Sequence, residues 1–394
     1  MKKELTLRSV LFGALCTSFG MSFIWPLTSV YLHDELHLSL TLVGVVLFFN
    51  SSASVIGNIV GGLFFDRFNP YRLLLFGGWL MFFTLVILTI NHGVYAFSIC
   101  LFFLGLGAGW NGTVVSALGA SLKQYDGRYV FNMIYFVQNL GIVIGSSVVG
   151  FLYDWQFSLP FFVSTLVSVG FLAVVYLGYR VLKDQVTNRE RNAANEQGGR
   201  LAKGNAWLMY CLLFSLFLMW VMYQQWGSNV SVYMTSMQIP FRYYSVLWTV
   251  NAGLIVCIQF FIVRFGHLIK NHFLPIYGGI SFFAISFVVL FFAHSYPLFV
   301  LAMVILTLGE AWALPQVPVV VNQLTPEGSK GKYLGLANSF GSAGRAVAPL
   351  FGGLMIELAS YQTLFMIAAV VNFALVFFLW GAKAILNASI KYYE

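Results

Sequence analysis

Apolar stretches of roughly twenty residues follow one another along the whole chain, separated by short polar breaks, and a bilayer core about 30 Å thick asks for helices of that length. The stretches run from about 7 to 32, 40 to 65, 72 to 90, 94 to 121, 129 to 153, 158 to 180, 206 to 234, 243 to 265, 273 to 293, 297 to 323, 332 to 357 and 361 to 382. Composition agrees: 59% of the residues are hydrophobic and 9% charged, against roughly 45–50% and 25% in soluble domains. An ordinary soluble enzyme is thereby excluded. The expectation is an all-α membrane protein with twelve transmembrane helices, multi-pass in the cell membrane and in contact with its lipids.

The Lys2/Lys3 start and the apolar run behind it have the look of a signal peptide, but the run continues past a signal's usual 7–15 apolar residues and reads as the first helix. Cys16, Cys100, Cys211 and Cys257 fall inside spans without a CxxC pair, as small core residues do. The six histidines, His33, His37, His92, His267, His272 and His294, sit at loop positions. No metal or other cofactor is expected, with a proton gradient as the energy source. The net charge of +8 is explained by topology and not by a nucleic-acid partner. With the N-terminus inside, all of the 21 lysines and arginines except Arg242 and Arg345 lie on the cytoplasmic side, so both termini are expected there.

Features also recur at an offset of 201 to 204 residues. Ser29-Val30-Tyr31 returns as Ser231-Val232-Tyr233, and Asn50 with Asn58 as Asn251 with Gln259. Leu106-Gly107 and Trp110 return as Leu308-Gly309 and Trp312, Gly127 and Tyr129 as Gly331 and Tyr333, and Gly150 as Gly353. Six helices per half make the repeats parallel about an axis along the membrane normal. The expected organisation is a six-helix bundle over 1–182, a charged cytoplasmic linker over 183–205 and a second bundle over 206–394. A duplicated bundle creates an interface where transporters place their substrate. Transport of a small molecule is therefore expected, from a monomeric protein.

The stretch Gly62-Leu63-Phe64-Phe65-Asp66-Arg67-Phe68-Asn69-Pro70-Tyr71-Arg72 resembles the G-x-x-x-D-R-x-G-R-K signature of the major facilitator superfamily, and the likeness extends over the chain through span count, repeat and linker. The resemblance implies that fold, with Asp66, Arg67 and Arg72 at an inner gate. Asn69 and Pro70 replace the usual Gly and Arg. Gly141 to Gly150 is similar to the G-x-x-x-G-P-x-x-G-G antiporter motif, with Ser146 for Pro and Val149 for Gly, while Gly344 to Gly353 keeps the Pro and the double Gly. Small residues also serve close helix packing. Gly107 to Gly112 fits GxGxxG, but no strand precedes it, so no nucleotide site is expected.

Two charges lie deep in spans. Glu310 stands about 13 residues into the tenth span, roughly 20 Å deep, and Arg345 about as deep in the eleventh. Such residues face the interior, pair, and serve ion or substrate pathways. Gly309-Glu310-Ala311-Trp312-Ala313-Leu314-Pro315, with Pro326 to Tyr333, resembles the corresponding region of LmrP-type multidrug/proton antiporters, as do Tyr129-Val130-Phe131 and Gln138-Asn139-Leu140. Where those relatives carry a membrane carboxylate in the fifth helix, Ile134 stands here.

Aromatic and amide residues at span midpoints complete a candidate pocket: Met21, Trp25, Trp110, Asn111, Tyr135, Gln138, Asn139, Tyr223, Gln224, Trp226, Asn251 and Trp312. Asn132, Tyr135 and Asn139 share one helix face. Rings bind flat or cationic ligands, and Met adapts to varied shapes. The leading expectation is a secondary active exporter of lipophilic, cationic compounds in exchange for protons, with Glu310 as the carboxylate for which proton and cation compete. Alternatives are a carrier of an anionic or neutral metabolite held by Arg345, and a non-transporting receptor or scaffold. No nucleophile, metal set or acid/base pair converges, so an enzyme is not expected.

Overall fold

In hydrocarbon a backbone has only itself to bond with, so a spanning chain without barrel strands must be helical. The computed structural model describes residues 5–24, 28, 31, 32, 36, 38, 40–91, 93–122, 124–156, 158–184, 201–265, 271–390, 392 and 393. Among them stand twelve long helices: α1 (Leu7–Ser22), α2 (Leu40–Arg67), α3 (Pro70–Ile90), α4 (Val94–Ala120), α5 (Gly127–Trp155), α6 (Leu159–Gly178), α7 (Lys203–Tyr223), α8 (Phe241–Phe265), α9 (Phe273–Phe291), α10 (Tyr296–Ala313), α11 (Lys330–Leu358) and α12 (Tyr361–Leu386). Eight spans among the described residues are long and apolar enough to cross a membrane, including α7 carried on to Ser236 and α10 carried on to Leu324. The helices outside that set are α1, seen over 16 residues, and α5, α8 and α11, which hold many of the amides and charges singled out above.

Helix starts are written in local chemistry. Asn69 caps α3, its side chain accepting from the Tyr71 amide at 2.8 Å, and Pro70 takes the first turn, where an N–H would have no partner. The two departures from the superfamily signature thus begin a helix. Asp126 caps α5 through the Arg128 amide at 3.1 Å, and Ser360 caps α12 through the Thr363 amide at 3.1 Å.

Three expected spans are interrupted. The first, drawn to residue 32, is regular helix from Leu7 to Ser22 and turns at Phe23-Ile24, with residues 25–27, 29 and 30 outside the described residues. The seventh breaks after Tyr223 into short turns, Gln225–Ser228 and Val230–Ser236, with Asn229 Nδ2 bonded to Gln225 Oε1 at 2.6 Å. The tenth breaks at Leu314-Pro315 and resumes as Gln316–Leu324. At the linker, residues 185–200 lie outside the described residues, and Lys203 already belongs to α7.

The chain divides into two compact units, Met1–Arg200 with Pro326–Ser339, and Leu201–Thr325 with Phe340–Glu394. In the first, α2 and α3 pack on α4, α3 on α6, and α1 on α5 and α6. Its core gathers Leu85, Leu88, Phe97, Leu101, Leu104 and Phe161. The second unit repeats these pairings: α8 and α9 pack on α10, α9 on α12, and α7 on α12. One small-residue crossing recurs as well. Gly107 of α4 faces the Gly77 carbonyl of α3, and a Cβ built on Gly279 of α9 would stand 2.6 Å from the Gly309 carbonyl oxygen of α10. Phe48, Phe83, Phe261 and Phe377 stay exposed, as lipid-facing rings do.

Candidate functional site

Glu310 occupies the last turn of α10, just before the break at Pro315, and is 8% exposed. Its Oε2 accepts from the Tyr223 hydroxyl at 2.8 Å and from Asn251 Nδ2 at 3.0 Å. The same Asn251 amide donates to Thr307 Oγ1 at 3.0 Å, and the Thr307 hydroxyl donates back to the Met303 carbonyl at 2.7 Å. Three helices, α7, α8 and α10, therefore converge on one carboxylate through neutral donors. Buried polar groups held this way are fixed in place, since leaving any one of them without its bond costs about 1–3 kcal/mol. Below the cluster, Gln259 Nε2 donates to the Ala311 carbonyl at 2.7 Å. That carbonyl is the one Pro315, four residues on, cannot serve.

Arg345 lies on α11 in the same unit. Its guanidinium donates to Ser342 Oγ at 3.0 Å and lies over the Trp220 ring, 4.4 Å from the centroid. Trp220 meets Tyr223 edge to face at 5.0 Å. Contacts thus run from Arg345 through the Trp220 and Tyr223 rings to Glu310.

In the first unit, Asp66 at the end of α2 caps the start of α11, Oδ1 accepting from the Gly331 amide at 3.0 Å and Oδ2 from the Lys332 amide at 2.8 Å. These first-turn donors have no partner within their helix, and a carboxylate there also meets the positive end of the helix dipole. Arg67 and Arg72 are exposed. Near the same helix start, Asn338 Nδ2 donates to Thr113 Oγ1 at 3.1 Å, and Thr113 donates to Asn58 Oδ1 at 3.1 Å.

Among the remaining candidates, Trp25 lies outside the described residues. Met21 packs against the core of the first unit. Trp110 is buried there, its indole N–H donating to the Leu73 carbonyl at 2.9 Å between Phe64 and Phe76. Asn111 is fully buried and donates to Met81 Sδ at 3.3 Å. Asn139 gives its amide to the Tyr135 carbonyl of its own helix at 2.9 Å, while Tyr135 and Gln138 are half-buried. In the second unit Trp226 is fully buried, its carbonyl accepting from Tyr244 at 2.8 Å, and Gln224 is half-buried where α7 ends. Trp312 is 39% exposed beside Phe282. The structure brings Tyr223 and Asn251 onto Glu310.

Thr307, Trp220 and Ser342 were not singled out by sequence. Each stands three residues before one that was, Glu310, Tyr223 and Arg345 respectively, and so shares its helix face. That spacing was the available signal.

Residues 10–293 and 259–385 match the Major Facilitator Superfamily. The chain is 34% identical over 355 residues to an uncharacterised MFS-type transporter, YttB, of Bacillus subtilis (strain 168), with 89% of this chain and 88% of that protein covered. Its fold is similar to that of the human organic anion transporter MFSD10 (TETRAN), with a TM-score of 0.79 at 16% identity over 95% of this chain and 98% of that one. It is also similar to that of the proton:xylose symporter XylE bound to 6-bromo-6-deoxy-D-glucose, with a TM-score of 0.71 at 14% identity over 95% of this chain and 94% of that one. Identities this low speak for the fold alone. Proteins of this superfamily are in general secondary active transporters of small molecules and not enzymes. With the signature at Asp66, the repeated six-helix pairings and a family match running through both units, the chain belongs to the major facilitator superfamily.

Proposed function

We propose that this transporter exports lipophilic cations in exchange for protons, and that Glu310 is the group for which the two compete. The observation that carries the reading is the Glu310 carboxylate itself: buried in a span, its Oε2 held by the neutral donors Tyr223 and Asn251. Arg345, the other intramembrane charge, is engaged with Ser342 and Trp220. A desolvated carboxylate is stable when it holds a proton or when it faces a cation. One proton or one cation per carboxylate gives antiport by mutual exclusion. Tyr223 and Asn251 act as positioning residues that keep the acid in one place through both halves of the exchange.

In the same reading both termini face the cytoplasm, where the excess of lysine and arginine lies. Asp66 holds the amino end of α11 in one state of the cycle and releases it in the other. The test is proton-driven uptake of a fluorescent lipophilic cation into inverted vesicles. Wild type should accumulate the dye, and Glu310→Gln, correctly inserted, should lose proton-coupled movement at least tenfold. Undiminished antiport by the Gln variant would remove Glu310 from the mechanism.

A further inference from the structure

We propose that Arg345, Ser342 and Trp220 form an anion-accepting subsite, so that the substrates include amphoteric molecules: flat lipophilic cations that also carry a carboxylate. This rests on the reading of Glu310 as the cation-accepting group. A guanidinium inside a span is expensive unless something compensates its charge. Arg345 meets the Ser342 hydroxyl and the Trp220 face, with the Tyr223 phenol near enough to act on its charge, and all three are neutral groups. Of its five N–H donors, the bond to Ser342 uses one. The remaining donors lie in a fork whose geometry matches a planar carboxylate.

The fork is also held still. The guanidinium lies over the Trp220 indole, Cζ 4.4 Å from the ring centroid, where cation–π attraction restrains it. Helix α11 comes close enough for that contact because Gly341 and Gly344 line the crossing. A Cβ on Gly341 would stand 3.1 Å from Trp220 Nε1, and one on Gly344 would stand 2.5 Å from the Phe217 carbonyl oxygen. The ring of Tyr223, edge to face with Trp220, links it to Glu310. A cation-accepting and an anion-accepting group joined through aromatic rings suit a ligand that carries both charges on an aromatic body.

The experiment uses one rhodamine-type xanthene dye in two forms: its methyl ester, a plain cation, and the hydrolysed form, which carries a free benzoate. Binding of each to the purified full-length protein is followed by fluorescence polarisation, and proton-driven uptake of each into vesicles by fluorescence. The readout is the ratio of acid to ester. Arg345→Gln should lower that ratio about tenfold or more, the loss of one charge-assisted pair. Arg345→Lys, which keeps the charge but not the fork, should fall between. Gly341→Ala, which leaves Arg345 in place but crowds Trp220, should lower the ratio as well and guards against misfolding of the arginine variants. A ratio unchanged in Arg345→Gln, or a wild type that does not bind the benzoate form, overturns the proposal. If the ester is not moved by wild type in a proton gradient, the antiport reading fails instead, and the binding ratio still decides whether Arg345 takes a carboxylate.

Discussion

Tyr223, the last residue of α7, donates its hydroxyl hydrogen to Glu310 Oε2 at 2.8 Å, tying the point where one helix breaks to the last turn of another before its own break. Both interruptions therefore meet at one carboxylate. Hydrogen bonds to charged groups contribute about 1.5–3 kcal/mol, and partners in one network couple by about 0.5–3 kcal/mol. A cycle of Tyr223→Phe, Glu310→Gln and the double variant, read by thermal unfolding in detergent, should show a coupling of about 1 kcal/mol or more. Additive effects would mean that the hydroxyl and the carboxyl do not share a bond in the protein.

The helices were legible because each apolar stretch is about as long as a bilayer is thick, and a chain in lipid has few ways to satisfy its backbone. The repeat was legible too, and the structure gives its amides a shared task. Asn50 bonds α2 to the Leu101 carbonyl of α4 at 2.6 Å, and Asn251 bonds α8 to Thr307 of α10 at 3.0 Å. The breaks were harder to see. Pro315 is visible punctuation, but the break after Tyr223, where Asn229 bonds Gln225, is announced by no periodicity. The facing of single rings was not legible at all. Trp110 and Trp312 are equivalent in the repeat, yet one is buried with its N–H on a carbonyl and the other is 39% exposed.

Asp66 accepts from two amides at the start of α11, and caps of this kind contribute about 0.5–2 kcal/mol. Asp66→Ala should leave both donors open to exchange. Hydrogen–deuterium exchange at Gly331 and Lys332 should accelerate roughly five- to thirtyfold, the factor that about 1–2 kcal/mol represents. Exchange at the far end of α11 should stay as it was. Equal protection at Gly331 in both proteins would show that the carboxylate is not the cap.

The crossing of α9 and α10 has no room for a methyl group, since a Cβ on Gly309 would stand 2.5 Å from the Gly279 carbonyl oxygen. Gly309→Ala should destabilise the protein by about 1–3 kcal/mol through forced separation of the helices. Gly253 on α8 is a matched control, with open space where its Cβ would go. Gly253→Ala should be neutral or stabilise by about 0.5–1 kcal/mol, because a helical glycine loses more chain entropy on folding than alanine. Melting temperatures in detergent decide it, and an ordering with Gly309→Ala the more stable of the two would refute the close crossing.

The last prediction concerns the carbonyl that Pro315 leaves without a backbone donor. In a regular helix the amide of residue 315 would bond the Ala311 carbonyl; proline has none, and Gln259 Nε2 fills the gap from α8 at 2.7 Å. Gln259→Leu should therefore strand a buried carbonyl and destabilise the protein by about 1–3 kcal/mol. Pro315→Ala supplies the missing N–H, so in that background the same Gln259→Leu change should cost markedly less. Pro315→Ala by itself should also straighten the break between α10 and Gln316–Leu324, which shifts the last turn of α10 and with it Glu310. Transport in Pro315→Ala should fall even though the helix gains a hydrogen bond. The pair of measurements is thermal stability for the four members of the cycle and dye uptake for the single variants. If Gln259→Leu costs the same in both backgrounds, the amide is not standing in for the proline. If Pro315→Ala transports at the wild-type rate, the break does not serve to set the position of Glu310.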